Sequence, residues 1–169
     1  MPTLPPWDAL HPVAVHFPVA YLLLAPLLTL IALFVGERRA ALTRVAFLVA
    51  LLGAVGASLA VQTGEATERR VKVPEIAEPV LDEHEEMAEK VPLFAWGLAI
   101  GLGALVVIPI VRKQEMKTRS ARAVLGMLLV LQLAAALYVA NTAHLGGRLV
   151  HEFGVRAPWP TDAAAEGDD

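Results

Sequence analysis

Histidines are the residues of this sequence best suited to chemistry. Five are present, and cysteine is absent. A chain without cysteine forms no disulfide, iron–sulfur cluster, thiolate zinc site or covalently attached c-type haem. Imidazole nitrogens remain, and they bind Zn, Cu, Ni or the iron of b-type haem. The sequence therefore predicts a haem or metal site built from some of these histidines, which are His11, His16, His84, His144 and His151.

The elements that must position these side chains are membrane helices. The 169 residues are 56% hydrophobic and 18% charged, whereas soluble domains carry about 25% charged residues. A net charge of −3 offers no basic surface for nucleic acid. We expect an all-α, four-transmembrane-helix bundle in a single domain over residues 1–156, followed by a disordered acidic tail over 157–169. The apolar stretches lie at about residues 13–35, 45–62, 91–111 and 122–143.

Loop charges predict how the chain is oriented. The two short loops, 36–44 and 112–122, hold eight of the fourteen basic residues, whereas the middle connection, 62–90, is acidic. Basic short loops stay on the cytoplasmic side of a membrane. We therefore expect a multi-pass protein of the bacterial inner membrane, surrounded by lipid, with both termini outside. All five histidines then lie at or near the outer face.

The middle connection contains a predicted amphipathic helix that precedes the third span. Val80, Leu81, His84, Met87 and Val91 recur at helical spacing, and acidic residues occupy the other face. His84 therefore faces protein, unless the stripe lies on the bilayer surface, in which case His84 is an interfacial residue.

His16 is the most deeply placed histidine in the predicted topology. An ionisable residue inside a span indicates function, although His16 could also bond to a carbonyl that Pro18 leaves free. His11 lies five residues earlier, about 140° around a helix, so both imidazoles cannot face one point. His11 is a further candidate ligand, as is His151, for which a solvated surface position is the alternative.

The fourth span ends in a polar cluster. Tyr138, Asn141 and His144 share a helix face, so the first two could orient an imidazole ligand. Gly146 and Gly147 are expected to end this helix. Arg148 could then neutralise haem propionates, snorkel to lipid headgroups or pair with a carboxylate.

Small residues in the second span, including Gly56 and Gly64, permit close approach of another helix or of a flat haem. The pattern does not distinguish these two readings.

Three segments together suggest a family. The opening HPVAVHFPVAYLL, the TGEA that ends the second span and the closing HLGGRLVHEFGV resemble an uncharacterised family of bacterial four-helix membrane proteins. Its members open with HPxxVHFP and close with a GGxLVYxxGV-like segment. Some are fused to Rieske or cytochrome c domains, so the resemblance implies a place in membrane electron transfer. His151 stands where that family usually has tyrosine.

The leading hypothesis is a b-type haem-binding membrane subunit that transfers electrons near the outer face and is not an enzyme by itself. Two of His16, His84 and His144 are the expected axial ligands, with His16 favoured as one of the pair because of its depth. The expected partner is a periplasmic Rieske or cytochrome c domain or a larger respiratory complex. The alternatives are a non-haem Zn or Cu site on the same histidines and a structural subunit without cofactor.

Overall fold

The computed structural model describes residues 6–114 and 117–156, among which there is no strand. Short 3-10 turns at Trp7–Ala9 and Glu75–Ala77 precede the first and third long helices. The predicted disordered tail lies outside the described residues. The helices are α1 (His11–Ala14), α2 (His16–Phe34), α3 (Arg39–Glu68), α4 (Glu78–Arg112) and α5 (Thr118–His151).

Four helices are long and apolar enough to cross a membrane, with α1 and α2 together forming the first. The expected fold class is therefore confirmed. The four long helices form a ring in which α2 packs on α3, α3 on α4, α4 on α5 and α5 on α2, as in an up-down-up-down bundle. Consequently α2 lies diagonally across from α4, and α3 across from α5. The hairpin of α2 and α3 therefore has a counterpart in the hairpin of α4 and α5.

Small side chains let these helices approach closely. α3 alone contributes Ala46, Ala50, Ala54 and Ala57 to the buried core. A Cβ added at Gly56 would lie 3.1 Å from Pro18 Cδ. Because lipid is as apolar as the side chains, this tight packing has to supply much of the association energy.

At one end of the bundle, the helices extend beyond their apolar stretches. The second apolar stretch was expected to end near residue 62, but α3 continues to Glu68. The predicted amphipathic helix is continuous with the third span, because α4 runs unbroken through Pro92. Its 35 residues measure about 52 Å, well beyond a hydrocarbon core of about 30 Å. Residues 78–90 of α4, which are rich in carboxylates, are the part that extends past the core.

The expected end of the fourth helix is wrong. α5 continues through Gly146 and Gly147 to His151. The glycine that closes it is Gly154, whose φ is 70°, and the amide of Val155 donates back to the Leu149 carbonyl at 2.9 Å. A left-handed residue just past the last turn is a common helix terminator. Gly146 instead contacts the His84 ring.

Two polar side chains are enclosed in the middle of the bundle. Thr29 of α2 is 0% exposed and Gln132 of α5 is 2% exposed. The Thr29 hydroxyl and both polar atoms of the Gln132 amide have no hydrogen-bond partner among the described residues. Other buried hydroxyls, such as those of Thr63 and Thr142, bond to carbonyls within their own helices.

Candidate functional site

All five histidines lie toward one end of the bundle, where α1 begins, α5 ends and α3 connects to α4. We call it the histidine end. Only His11 and His84 are half-buried there, whereas His16, His144 and His151 are exposed. Two of the five imidazoles are therefore partly enclosed by the bundle.

His11 packs against the last turns of α3. Its Nδ1 lies 2.9 Å from the Ala60 carbonyl oxygen and 3.4 Å from the Thr63 hydroxyl. The ring rests on Gly64, where an added Cβ would lie 3.1 Å from Cε1 and 3.2 Å from Nδ1. We call His11, Ala60 and Gly64 the His11 half-site.

His84 makes the same contact on the opposite hairpin. Its Nδ1 lies 3.0 Å from the Thr142 carbonyl oxygen of α5. The ring rests on Gly146, where an added Cβ would lie 3.0 Å from Cε1. His84, Thr142 and Gly146 form the His84 half-site. In both half-sites the accepting carbonyl comes four residues before the glycine.

This spacing has a physical reason. A helical side chain leans toward the N-terminus and covers the preceding turn, so residue i+4 shields the carbonyl of residue i. Glycine at i+4 leaves that carbonyl open to a second donor from another helix. The two glycines thus serve close approach of a ring.

The hydrogen bonds determine which nitrogen of each imidazole is free. A carbonyl oxygen only accepts, so each Nδ1 carries the proton and each Nε2 keeps its lone pair. Among the described residues neither Nε2 has a hydrogen-bond partner. An imidazole held in this way through one nitrogen is the usual state of a histidine that ligates iron or another metal through the other.

The two half-sites are neighbours across the bundle. His11 precedes α2 and His84 belongs to α4, which are diagonal helices, and the two imidazoles are near enough to interact electrostatically. In the part of the chain that the structure describes, no group of three or more His, Asp or Glu side chains is arranged to hold a metal ion. The two half-buried imidazoles are therefore the candidate ligands at this end.

Side chains outside the half-sites hold His11 in place. Asp8 is buried, and its carboxylate pairs with Arg70 Nε at 2.7 Å. The Thr67 hydroxyl donates to the Asp8 backbone carbonyl. Both partners follow Gly64 in the chain, so the short segment before α1 is tied to the same end of α3 that His11 contacts.

A profile described as "Predicted membrane protein (DUF2231)" matches residues 7–158. The chain belongs to the DUF2231 family. Comparisons with curated proteins and with solved structures gave no match. The DUF2231 match includes both half-sites, since His11 lies near its start and Gly146 near its end.

Several residues singled out in this DUF2231 sequence lie apart from the two half-sites. The exposed His16 uses its Nδ1 on the Pro12 carbonyl of its own turn, at 2.6 Å. Asn141 donates to Met87 Sδ at 3.3 Å, and the Tyr138 ring meets Phe94 edge-on at 5.3 Å. His144 on α5 is exposed. The structure thus brings His84 together with His11 and leaves His16 and His144 on the outside of the bundle.

Of the remaining residues expected at the site, one contacts an imidazole and the others lie elsewhere. Gly64 contacts an imidazole, whereas Gly56 packs on Pro18 deeper in the bundle. Arg148 pairs with Glu152 at 3.0 Å, and its guanidinium lies 6.0 Å from the centre of the Phe153 ring. His151 is exposed at the end of α5.

Sequence reasoning on this DUF2231 chain missed the two carbonyls and the partnership of His11 with Gly64. One signal was present. In each half of the sequence, a histidine lies near the start of the first long helix of a hairpin and a glycine lies near the end of the second.

Proposed function

We propose that this protein is a b-type haem-binding subunit of the bacterial inner membrane that transfers electrons, with His11 and His84 as the axial ligands. One observation supports this most strongly. Two imidazoles, one on the short helix before α2 and one on α4, are each bonded through Nδ1 to a backbone carbonyl and are near enough to interact electrostatically, and their Nε2 atoms have no hydrogen-bond partner among the described residues.

The number of ligands favours haem over a non-haem metal. Haem iron is already held by its porphyrin and takes at most two axial protein ligands. A structural zinc site needs four protein ligands and a catalytic one needs three. Two imidazoles, with no third His, Asp or Glu grouped with them among the described residues, match the haem requirement.

The surroundings of the two rings suit axial ligation. The Ala60 and Thr142 carbonyls fix the ring orientations and would make each Nε2 a better donor to a haem iron. Gly64 and Gly146 permit this approach, since a Cβ at either position would crowd the ring. Bound haem would supply a one-electron redox centre at the histidine end. We assign Arg148 as the cation that would pair with a haem propionate. Its present ion pair with Glu152 would then have to break.

The loop charges indicate on which side of the membrane the site lies. The basic loops lie at the end of the bundle opposite the histidines, and such loops remain in the cytoplasm. The histidine end would then face outward, where a periplasmic Rieske or cytochrome c domain is the electron partner that fits the resemblance.

The test is haem content and absorption of the purified protein, expressed with haem available. We expect one b-type haem per chain with a reduced α-band. His11→Ala and His84→Ala should each lose most of it, whereas His16→Ala and His144→Ala, matched substitutions at exposed histidines, should keep it. Protein without porphyrin, stoichiometric zinc or copper instead, or haem lost only in the two controls would overturn the proposal.

A further inference from the structure

A groove runs down the membrane-facing surface between α4 and α5. Its volume is about 390 Å³, and its walls include Leu93, Phe94, Gly97, Leu131, Ala134 and Tyr138. Tyr138 lies at its upper end, toward the histidine end, and Leu128 lies at its lower end. These two residues are ten positions apart on α5, or about 15 Å.

The groove exists because the residues on its floor have small side chains or none. A Cβ added at Gly97 would meet nothing within 4 Å, and Ala134 and Ala135 face it from α5. Gly97 is one half of the GxxxG spacing on α4, but its partner Gly101 packs on Leu128. Gly97 therefore leaves space that this chain does not fill.

The upper end of the groove carries hydrogen-bond donors. Tyr138 lines this end of the groove, Lys90 lies one turn before Phe94 on α4, and Asn141 follows Tyr138 by one turn on α5. The Asn141 amide donates only to the thioether of Met87, which is a weak acceptor. Phe94 stands edge-on to Tyr138, so aromatic surface lines the entrance beside these donors.

The charged side chains at the upper end of the groove favour a neutral head group over an anionic one. Lys90 pairs with Glu86 at 2.6 Å and also lies near Glu89, so the entrance carries no excess positive charge. An anionic lipid head group would meet two carboxylates there, whereas a neutral ring with carbonyl acceptors would meet three donors.

We infer that the groove between α4 and α5 binds an isoprenoid quinone. The quinone ring lies against Phe94 and Tyr138, its carbonyls accept hydrogen bonds from Lys90, Tyr138 and Asn141, and its tail runs down over Gly97. Lys90 is six residues from His84, about 9 Å along α4, so the ring lies beside the histidine end. Binding does not require haem, so it can be measured independently of the proposed function.

The test is equilibrium binding of decylubiquinone to the full chain in neutral detergent. Gly97→Leu fills the groove and should weaken binding at least about tenfold, through loss of apolar contact. The matched control is Gly126→Leu, because a Cβ at Gly126 on α5 also meets nothing within 4 Å and Gly126 does not line the groove. Tyr138→Phe keeps the ring pair, removes one donor and should weaken binding about fivefold.

Wild-type protein purified without haem separates this inference from the haem proposal, since it should bind the quinone as tightly as haem-loaded protein. Wild-type protein that fails to bind decylubiquinone, or that retains only phospholipid in native mass spectrometry, would overturn the inference. Equal weakening by Gly97→Leu and Gly126→Leu would overturn it too.

Discussion

The two half-sites make the same contact, but the chain supports them in different ways. His84 belongs to a continuous helix of 35 residues, whose own backbone sets the position of the imidazole. His11 opens a helix of four residues and relies on Asp8, Thr67 and Arg70 to keep its segment on α3. The comparison shows that the contact with a glycine and an open carbonyl is the shared feature, and that the helix carrying the histidine is not.

This difference divides the neighbouring residues into two kinds. Gly64 and Gly146 shape the shared contact and should matter equally. The Asp8–Arg70 pair supports only the His11 side. Residues such as Gln132, far along the bundle, should affect stability without reaching either half-site.

The glycines should give the largest effect among substitutions that spare the histidines. Gly64→Ala or Gly146→Ala places a Cβ 3.0–3.1 Å from an imidazole carbon, which displaces the ring from its carbonyl. We expect about tenfold weaker haem binding, since residues that orient a ligand typically contribute ten- to a hundredfold. Haemin titration of the purified variants measures this effect.

Gly147→Ala is the matched control, because a Cβ there meets nothing within 4 Å. Alanine favours a helix over glycine by up to about 1 kcal/mol, so none of the three variants should lose thermal stability through its helix propensity. Equal haem affinity in Gly146→Ala and Gly147→Ala would mean that the close contact of His84 with Gly146 is unimportant.

Arg70→Ala should have a smaller effect that is confined to one half-site. The ion pair with Asp8 is partly exposed, and such pairs contribute about 0.5–1 kcal/mol, so haem affinity should fall roughly two- to fivefold. Amide hydrogen exchange should become faster over residues 8–15 and stay unchanged over 84–90. Arg69→Ala alters the adjacent exposed arginine and should change neither measurement; faster exchange on the His84 side would contradict the assignment.

Gln132→Leu should leave haem binding unchanged and raise stability. The Gln132 amide is enclosed without a partner among the described residues, and an unpaired buried amide costs about 1–3 kcal/mol. We expect a higher midpoint of thermal unfolding in detergent. A lower midpoint would show that the amide is satisfied in the folded protein, for instance by an enclosed water.

The sequence predicted the four-helix fold and the inward face of His84, because both follow from periodicity within one helix. It did not predict the contact of His11 with α3, because that contact depends on a neighbouring helix. Gly64 was expected to let another helix or a haem approach the second span, but no pattern in the sequence paired it with His11. His16 was favoured by its depth in the span, yet depth does not say which side of a helix faces the bundle.

The glycines of α5 illustrate the same limit. Gly146 and Gly147 adjoin a polar segment, and in sequence a glycine that ends a helix is indistinguishable from one that admits a ring. Only the position of α4 beside α5 separates the two meanings. Residues whose role depends on a second helix could therefore be listed as candidates but not paired.

Electron paramagnetic resonance of the ferric, haem-loaded protein tests the central claim most directly, since it reports how many imidazoles ligate the iron. The account predicts a low-spin spectrum of bis-imidazole type for the wild-type protein, His16→Ala and His144→Ala. It predicts conversion to high spin, or loss of haem, in both His11→Ala and His84→Ala. A low-spin spectrum that survives in either of these two variants would contradict the assignment of that histidine as an axial ligand.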